Sequence, residues 1–290
     1  MGEGEYRSGD LTIRGMRAGD IEAADLVAFG VLGHHRPDPD EDDRRARARR
    51  RFEHYLALDA GGAWVAEADG EIVGTSIAIL REGIWGLALF AVAENRQGRG
   101  IGRRLLDAAL TYGDGSRGGL IMSSEDPKAM RRYARAGFDL RPCVAAAGVL
   151  RPDLPKAPEV EEPGREEAIA RAALLSRAVR GASHGEDVGV MMDAGLRMLM
   201  LGDDGFVLHE NGTIRLLAAL DDDTAAGLMR AAFAQATPGA TVQVDLLAAG
   251  HDWAIRTCLD AGLALSCVGP IFPRGDVGPM RPYIPTGAFL

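Results

Sequence analysis

The hydrophobic positions follow two periods, and the change from one to the other marks out the elements. Residues 11–14 predict a strand, and Asp20 is placed to cap a helix running to about residue 32. Residues 34–43 break the pattern, after which 42–58 form a charged helix with five arginines between positions 44 and 50, read as a solvated face. Residues 63–68 and 72–80, joined by Asp69-Gly70, predict a hairpin, and 84–92, apolar almost throughout, a buried strand. Leu105, Leu106, Ala109 and Leu110 then recur at helical spacing, which predicts a helix over 100–112. A short apolar strand at 120–123, a helix over 127–136 ended by Gly137, and a strand at 143–149 follow.

Residues 151–164 contain four prolines and four acidic residues and read as a linker. Beyond it the order recurs: helices at 166–179 and 188–194, strands at 196–201, 206–209 and 213–217, a helix at 224–235, a strand at 242–247, a helix at 252–261 and a terminal strand. Ala129-Met130-Arg131 and Ala136-Gly137 fall on Ala254-Ile255-Arg256 and Ala261-Gly262 at a constant offset of 125. Leu105-Leu106 and Ala108-Ala109 fall on Leu228-Met229 and Ala231-Ala232 at an offset of 123. The expected architecture is therefore two copies of one α/β fold with a mixed sheet: residues 1–150, a linker at 151–165, and residues 166–290.

A chain of 290 residues with 47% apolar composition can fill two cores. No window nears 18 consecutive apolar residues and residues 1–10 are polar and acidic, so a soluble cytoplasmic protein without membrane partners is expected. Cys143, Cys258 and Cys267 have no metal-ligand spacing and read as buried reduced thiols, with no metal site. The net charge of −9 is uneven, with 21 basic against 23 acidic residues in 1–150 but 12 against 19 in 151–290. Nucleic acid is disfavoured as a partner, and an anionic cofactor is repelled least by the first half. The acidic second half weakly favours a cationic acceptor such as an aminoglycoside, polyamine or lysine-like amine.

Gln97-Gly98-Arg99-Gly100-Ile101-Gly102 lies where a buried strand hands over to an amphipathic helix, the geometry that turns free backbone N–H groups and a positive dipole end toward an anion. The glycines admit unusual dihedrals and let a phosphate approach the main chain, while Arg96, Arg99, Arg103 and Arg104 add charge. A dinucleotide fingerprint starting at Gly98 would need glycine where Arg103 stands, and no G-x-x-x-x-G-K-[S/T] loop occurs. On the hexapeptide alone, a diphosphate site and an ordinary glycine turn with surface arginines stand level.

The Q/R-x-x-G-x-G pattern carried by Gln97, Gly100 and Gly102 resembles the acetyl-CoA signature of the GNAT superfamily of N-acetyltransferases, and residues 123–138 resemble its second signature, ending in Tyr133, Gly137 and Phe138. The resemblance covers residues 11–149. It implies an acetyltransferase that uses acetyl-CoA, with Phe90, Ala91, Val92, Gln97, Gly98, Arg99, Gly100, Ile101, Gly102, Arg103 and Asp126 on the cofactor and Tyr133 as general acid toward the leaving thiolate. Asp126 stands where many members have Asn. The implied reaction is direct attack by an amine of a small molecule or peptide, with main-chain N–H groups near 90–92 on the oxyanion. Strand 84–92 has no carboxylate to act as base; His34, His35, Glu53, His54 and Glu82 are candidates by location, and Leu290 by analogy with tandem relatives whose terminal carboxylate serves.

The second copy reads Asp221-Asp222-Asp223 at the equivalent turn and Cys258 in place of Tyr133, so it is expected to scaffold, close a cleft or form a homodimer interface. A non-catalytic acyl-CoA sensor is the alternative to an enzyme. The aromatic, proline-rich run from Gly269 to Leu290 is expected to dock on the fold rather than hang free.

Overall fold

The computed structural model describes residues 6–8, 11–33 and 40–290, which leaves the base candidates His34 and His35 outside the described residues. The chain divides into two units, residues 1–80 with 85–116, and residues 81–84 with 117–290. The division falls at 116 rather than near 150.

In the first unit, strands β1 (Tyr6–Ser8), β2 (Leu11–Gly15), β3 (Ala63–Ala68), β4 (Glu71–Arg81) and β5 (Ile84–Val92) follow one another in the sheet in chain order. The β3–β4 hairpin closes through Asp69 and Gly70, both at positive φ, the turn that the Asp-Gly pair predicts. Helices α1 (Ile21–Leu32) and α2 (Glu41–Leu58) pack on each other, and α3 (Ile101–Thr111) lies on the sheet. Ile101, Leu105 and Ala108 join Ile13, Ala66, Val73 and Val92 in one core. Two polar ties fix α3: the Ser76 hydroxyl donates to the Leu105 carbonyl at 3.2 Å and the Trp85 indole to that of Ala109 at 3.0 Å.

Two local expectations are corrected here. Asp20 precedes α1, but its carboxylate takes the Arg14 guanidinium at 2.7 and 2.9 Å and the Arg17 N–H at 2.7 Å instead of capping the helix. The arginine run of α2 is not wholly a solvated face either. Arg44 turns inward, pairs with Asp25 at 2.9 Å and lies over the Phe29 ring, 4.1 Å from its centroid.

The second unit holds β6 (Gly118–Met122), α4 (Pro127–Arg135), β7 (Arg141–Val149), α5 (Arg165–Arg180), α6 (Glu186–Asp193), β8 (Arg197–Leu201), β9 (Gly205–Glu210), β10 (Thr213–Ala219), α7 (Asp222–Phe233), β11 (Thr241–Ala248), α8 (Asp252–Asp260), β12 (Ala264–Gly275) and β13 (Tyr283–Ile284). The repeat extends to atomic detail. Helices α4 and α8 both end at an alanine followed by a glycine at positive φ, Gly137 and Gly262. The next N–H then reaches back in the same way, Phe138 to the Tyr133 carbonyl at 3.2 Å and Leu263 to that of Cys258 at 3.0 Å.

The strand order in this unit is β6-β12-β7-β11-β10-β9-β8. By chain position β7 belongs beside β6 and β12 beside β11. Instead the last strands change places: β12 pairs antiparallel with β6, β7 pairs antiparallel with β11, and the two exchanged strands pair with each other in the middle. This exchange is why the division does not fall near 150. Cys143 and Cys258 are buried, whereas Cys267 on β12 is exposed, contrary to the expectation of three buried thiols.

The exchange makes each copy dependent on the other. Ile271 and Phe272 of β12 are buried, and burying two such side chains stabilises by about 3–6 kcal/mol, a large part of the 5–15 kcal/mol that holds a typical domain folded. A fragment ending at residue 150 is expected to give no cooperative melt alone, and to be recovered as a folded complex when co-expressed with 151–290, as co-purification will show. Burial also holds His209 down to about 4, and its Nδ1 accepts from the Gly212 N–H at 3.3 Å. An imidazole free in the unfolded chain titrates near 6.5, so the neutral folded form is stabilising above that pH and the stabilisation is lost as pH falls toward 4. Melts at pH 7.5 and 5.0 should differ by about 2 kcal/mol less in His209→Gln than in the wild type.

Candidate active site

At the end of β5 the chain turns into α3 through a short 3-10 segment, and the turn is tied back to the strand by the Gln97 side-chain amide, which donates to the Val92 carbonyl at 3.0 Å. Gly98 and Gly100 both sit at positive φ, 79° and 82°, where an L-residue is strained. A Cβ on either would meet no protein atom within 4 Å, so the space over the turn is open to a ligand. Gly100 is the N-cap of α3 and brings no side chain to occupy the helix's free N–H groups. Arg99 and Arg103 are exposed and form no ion pair among the described residues, while Arg96 is held by Asp69 at 3.0 Å. Free N–H groups, a positive helix end and two unpaired guanidiniums make a cradle that fits a diphosphate.

The first unit thus brings Gln97, Gly98, Arg99, Gly100, Ile101, Gly102 and Arg103 into one turn directly beyond Phe90, Ala91 and Val92. Ile101 and Val92 share a core cluster, and the Phe90 ring packs against it, so these side chains are spent on positioning and the strand's main chain is what they present.

The second unit holds the other two predicted residues. Asp126 caps α4, its Oδ1 accepting from the Lys128 N–H at 2.8 Å with Pro127 as the first helical residue. Tyr133 is buried, with its ring edge-on to Phe272 of the exchanged strand, 5.5 Å between centroids. Burial pushes its phenol well above the usual tyrosine range, which keeps the hydroxyl protonated at neutral pH. No feature of the sequence pointed to Phe272, because its approach depends on the strand exchange.

Two base candidates are engaged elsewhere. Glu82 accepts from Arg177 at 2.6 Å and from the Ser183 N–H at 3.0 Å, and the Arg177 guanidinium holds its carboxyl below the usual range. Glu53 pairs with Arg49 at 3.0 Å. His54 lies half-buried in α2 beside the Tyr55 ring. Leu290 is fully buried, its terminal oxygen accepting from the Tyr283 hydroxyl at 2.9 Å.

The second copy uses the same positions differently. Asp221 stands before α7 and its carboxylate takes both the N–H and the hydroxyl of Thr224 at 2.8 Å, filling the helix end that Gly100 leaves open in α3. Cys258, in the place of Tyr133, is buried and its thiol is pushed up to about 12 by burial, which makes it inert. Leu217, Ala218 and Ala219 close β10 as residues 90–92 close β5, and this stretch is covered by the chain's own tail: β13 pairs with it, Leu217 facing Ile284 and Ala218 facing Tyr283. The Ala219 N–H donates to the Pro282 carbonyl at 3.2 Å. The predicted docking of the tail is thus a two-residue strand inside the second copy.

Residues 30–138 match the model of the acetyltransferase (GNAT) family. Among solved structures, a putative acetyltransferase from Pyrococcus horikoshii is similar over 98% of this chain and 96% of its own, with a TM-score of 0.80 at 19% identity. A GCN5-related N-acetyltransferase from Sphaerobacter thermophilus covers 97% of this chain and 99% of its own at a TM-score of 0.58 and 16% identity. A third, from Kribbella flavida, covers 92% and 71% at 0.58 and 16%. No curated protein matches the sequence. At these identities the structures establish a shared fold.

Positive φ is the local demand that the cradle makes on its sequence. Gly100→Ala should therefore cost about 1 kcal/mol of stability, read as a lowered melting temperature.

Proposed function

We propose that the chain, whose residues 30–138 match the GNAT acetyltransferase family, moves an acetyl group from acetyl-CoA to an amine of a small molecule or peptide by direct attack in one ternary complex. The observation that carries the reading is the glycine turn before α3, with its two positive-φ glycines, open helix end and unpaired Arg99 and Arg103. Those groups would hold the pyrophosphate, with Gln97 keeping the turn closed on Val92. The cosubstrate supplies an activated thioester; the protein's part is to orient it, stabilise developing charge and move protons.

Main-chain N–H groups at 90–92 are the assigned donors to the carbonyl oxygen. Tyr133 is the assigned proton donor to sulfur, a role suited to a phenol that burial keeps protonated. Arg177 holds the Glu82 carboxyl below the usual range, which makes it a poor proton acceptor, Glu53 is paired with Arg49, and loss of the amine proton to water is the simplest route. Asp126 is assigned only the positioning of α4. The second copy is assigned no cofactor, because Asp221 and β13 occupy the equivalent places. No described helix is long and apolar enough to cross a membrane, and we take the cytoplasm as the compartment.

Calorimetric titration of acetyl-CoA should give one site per chain, lost in Gly100→Asp, which puts a carboxylate where the second copy has one. Tyr133→Phe should lower kcat by about 10²–10³ with the KM for acetyl-CoA nearly unchanged. Absence of binding, or two sites per chain, would overturn the reading.

A further inference from the structure

The second unit contains a cleft of about 580 Å³, lined entirely by its own residues, that none of the assigned roles uses. Its size suits a small molecule. Leu120 of β6 and Ile271 of β12 form its floor. Ile271 pairs with Met122 on one side and Arg141 on the other, and Leu120 pairs with Pro273, so these side chains share one face of the sheet. Phe272, which packs on Tyr133, points to the opposite face. The cleft and the assigned acid therefore lie on opposite sides of β6 and β12.

The walls of the cleft are stiff. Pro142, Pro273, Pro279 and Pro285 line it, each with its φ fixed by the ring. Beside Pro279, Met280 holds a φ of 55°, a strained value for an L-residue, and is pinned from both ends. Its N–H donates to the Val179 carbonyl at 2.8 Å, and its carbonyl lies 3.4 Å from His251 Nε2. Arg281 follows it directly. The Arg281 guanidinium donates to the Ala249 carbonyl at 2.8 Å and rests over Gly250, where any Cβ would overlap it. A wall formed in advance of its ligand avoids the ordering cost that weakens binding to flexible surfaces.

The charge of the cleft comes from arginine alone. Arg141 and Arg281 form no ion pair among the described residues, and no aspartate or glutamate lines the cleft. His251 is buried, and its Nδ1 accepts from the Ala248 N–H at 3.3 Å, which requires the neutral ring; burial lowers its pKa further. The Tyr283 hydroxyl is committed to the terminal oxygen of Leu290 at 2.9 Å. Helix α8 begins at His251 with no side chain capping its free N–H groups. Two unpaired guanidiniums, an uncapped helix start and apolar walls form a receptor for an oxyanion carried on an apolar body.

We propose that this cleft is a second ligand site, which takes a small organic anion, a carboxylate or phosphate monoester on an apolar body, with Arg141 and Arg281 on the oxyanion and Leu120 and Ile271 beneath the body. The inference is independent of the acetyl-transfer reading, since every group it uses belongs to the second unit and none to the glycine turn.

Calorimetric titration of matched probes into the full chain tests it: benzoate and hexanoate against their amides, phenyl phosphate against phenol, and inorganic phosphate alone. At least one organic anion should bind once per chain, tenfold or more tighter than its neutral partner and than inorganic phosphate, and the carboxylate and phosphate pairs separate the two head groups. Arg141→Gln with Arg281→Gln, both exposed side chains, should weaken that binding about 10–100-fold, the loss expected for one to two charge-assisted contacts, with the melting temperature of the unliganded protein unchanged. Arg99→Gln with Arg103→Gln, in the glycine turn, should leave it unmoved. The inference is wrong if none of the organic anions binds, if the neutral probes or inorganic phosphate bind as tightly, if the cleft variant loses nothing, or if the turn variant is the one that loses binding.

Discussion

Backbone pairing between the two exchanged strands is the constraint on which the second unit depends. A strand needs a partner on each side unless it is to present a row of unpaired N–H and C=O groups. Here β7 is satisfied by β12 and β11, and β12 by β6 and β7, so neither leaves an open edge. The cost is autonomy, since neither copy can complete its sheet from its own residues. The gain is geometric: Phe272 is carried by the exchange to the ring of Tyr133, and the Asp139 N–H just beyond α4 finds the Pro273 carbonyl at 2.9 Å. A residue more than 130 positions away in sequence thereby fixes the assigned acid, and a catalytic role for the first copy requires the second as structural support.

The two copies also show how one physical device, a helix N-terminus, can be left available or satisfied internally. Both α3 and α7 follow a buried strand and begin with free N–H groups. Gly100 leaves them available and keeps a turn that no side chain crowds; Asp221 supplies an oxygen and ends the matter within four residues. The strand ends behave in parallel. The end of β10 is paired to β13, which saturates its main chain with the chain's own tail. The difference between an open helix end and a filled one comes from a few polar groups on an unchanged framework.

The fold and site were legible to the extent that they are local. Periodicity located nearly every helix and strand, because side chains at i and i+4 or i and i+2 report their own element. The glycine turn was legible because a positive φ selects glycine at Gly98 and Gly100. Strand exchange was not legible: β7 and β12 read as ordinary terminal strands whichever neighbour they choose, and pairing choice is non-local. The two residues of β13 are too few to carry a period. Asp20 and Arg44 failed for a related reason, each having the composition of a cap or a solvated charge but meeting a partner, Arg14 or Asp25, brought by another element. Among base candidates, location in sequence could not reveal that Arg177 already claims Glu82.

Net charge is a non-local quantity too. The second half is acidic, which on composition favours a cationic acceptor, yet charges more than about 8–10 Å apart at physiological salt are largely screened from one another. What a ligand meets is the set of unpaired charges at the site. Many acidic groups of the second unit are already matched: Glu82 with Arg177, Glu161 with Arg171, Glu162 with Arg197 and Asp193 with Arg165. Arg141 and Arg281 are not, and they stand together at a cleft without a carboxylate. An acidic chain can therefore still carry locally unmatched arginines, because many of its carboxylates are spent on partners of their own.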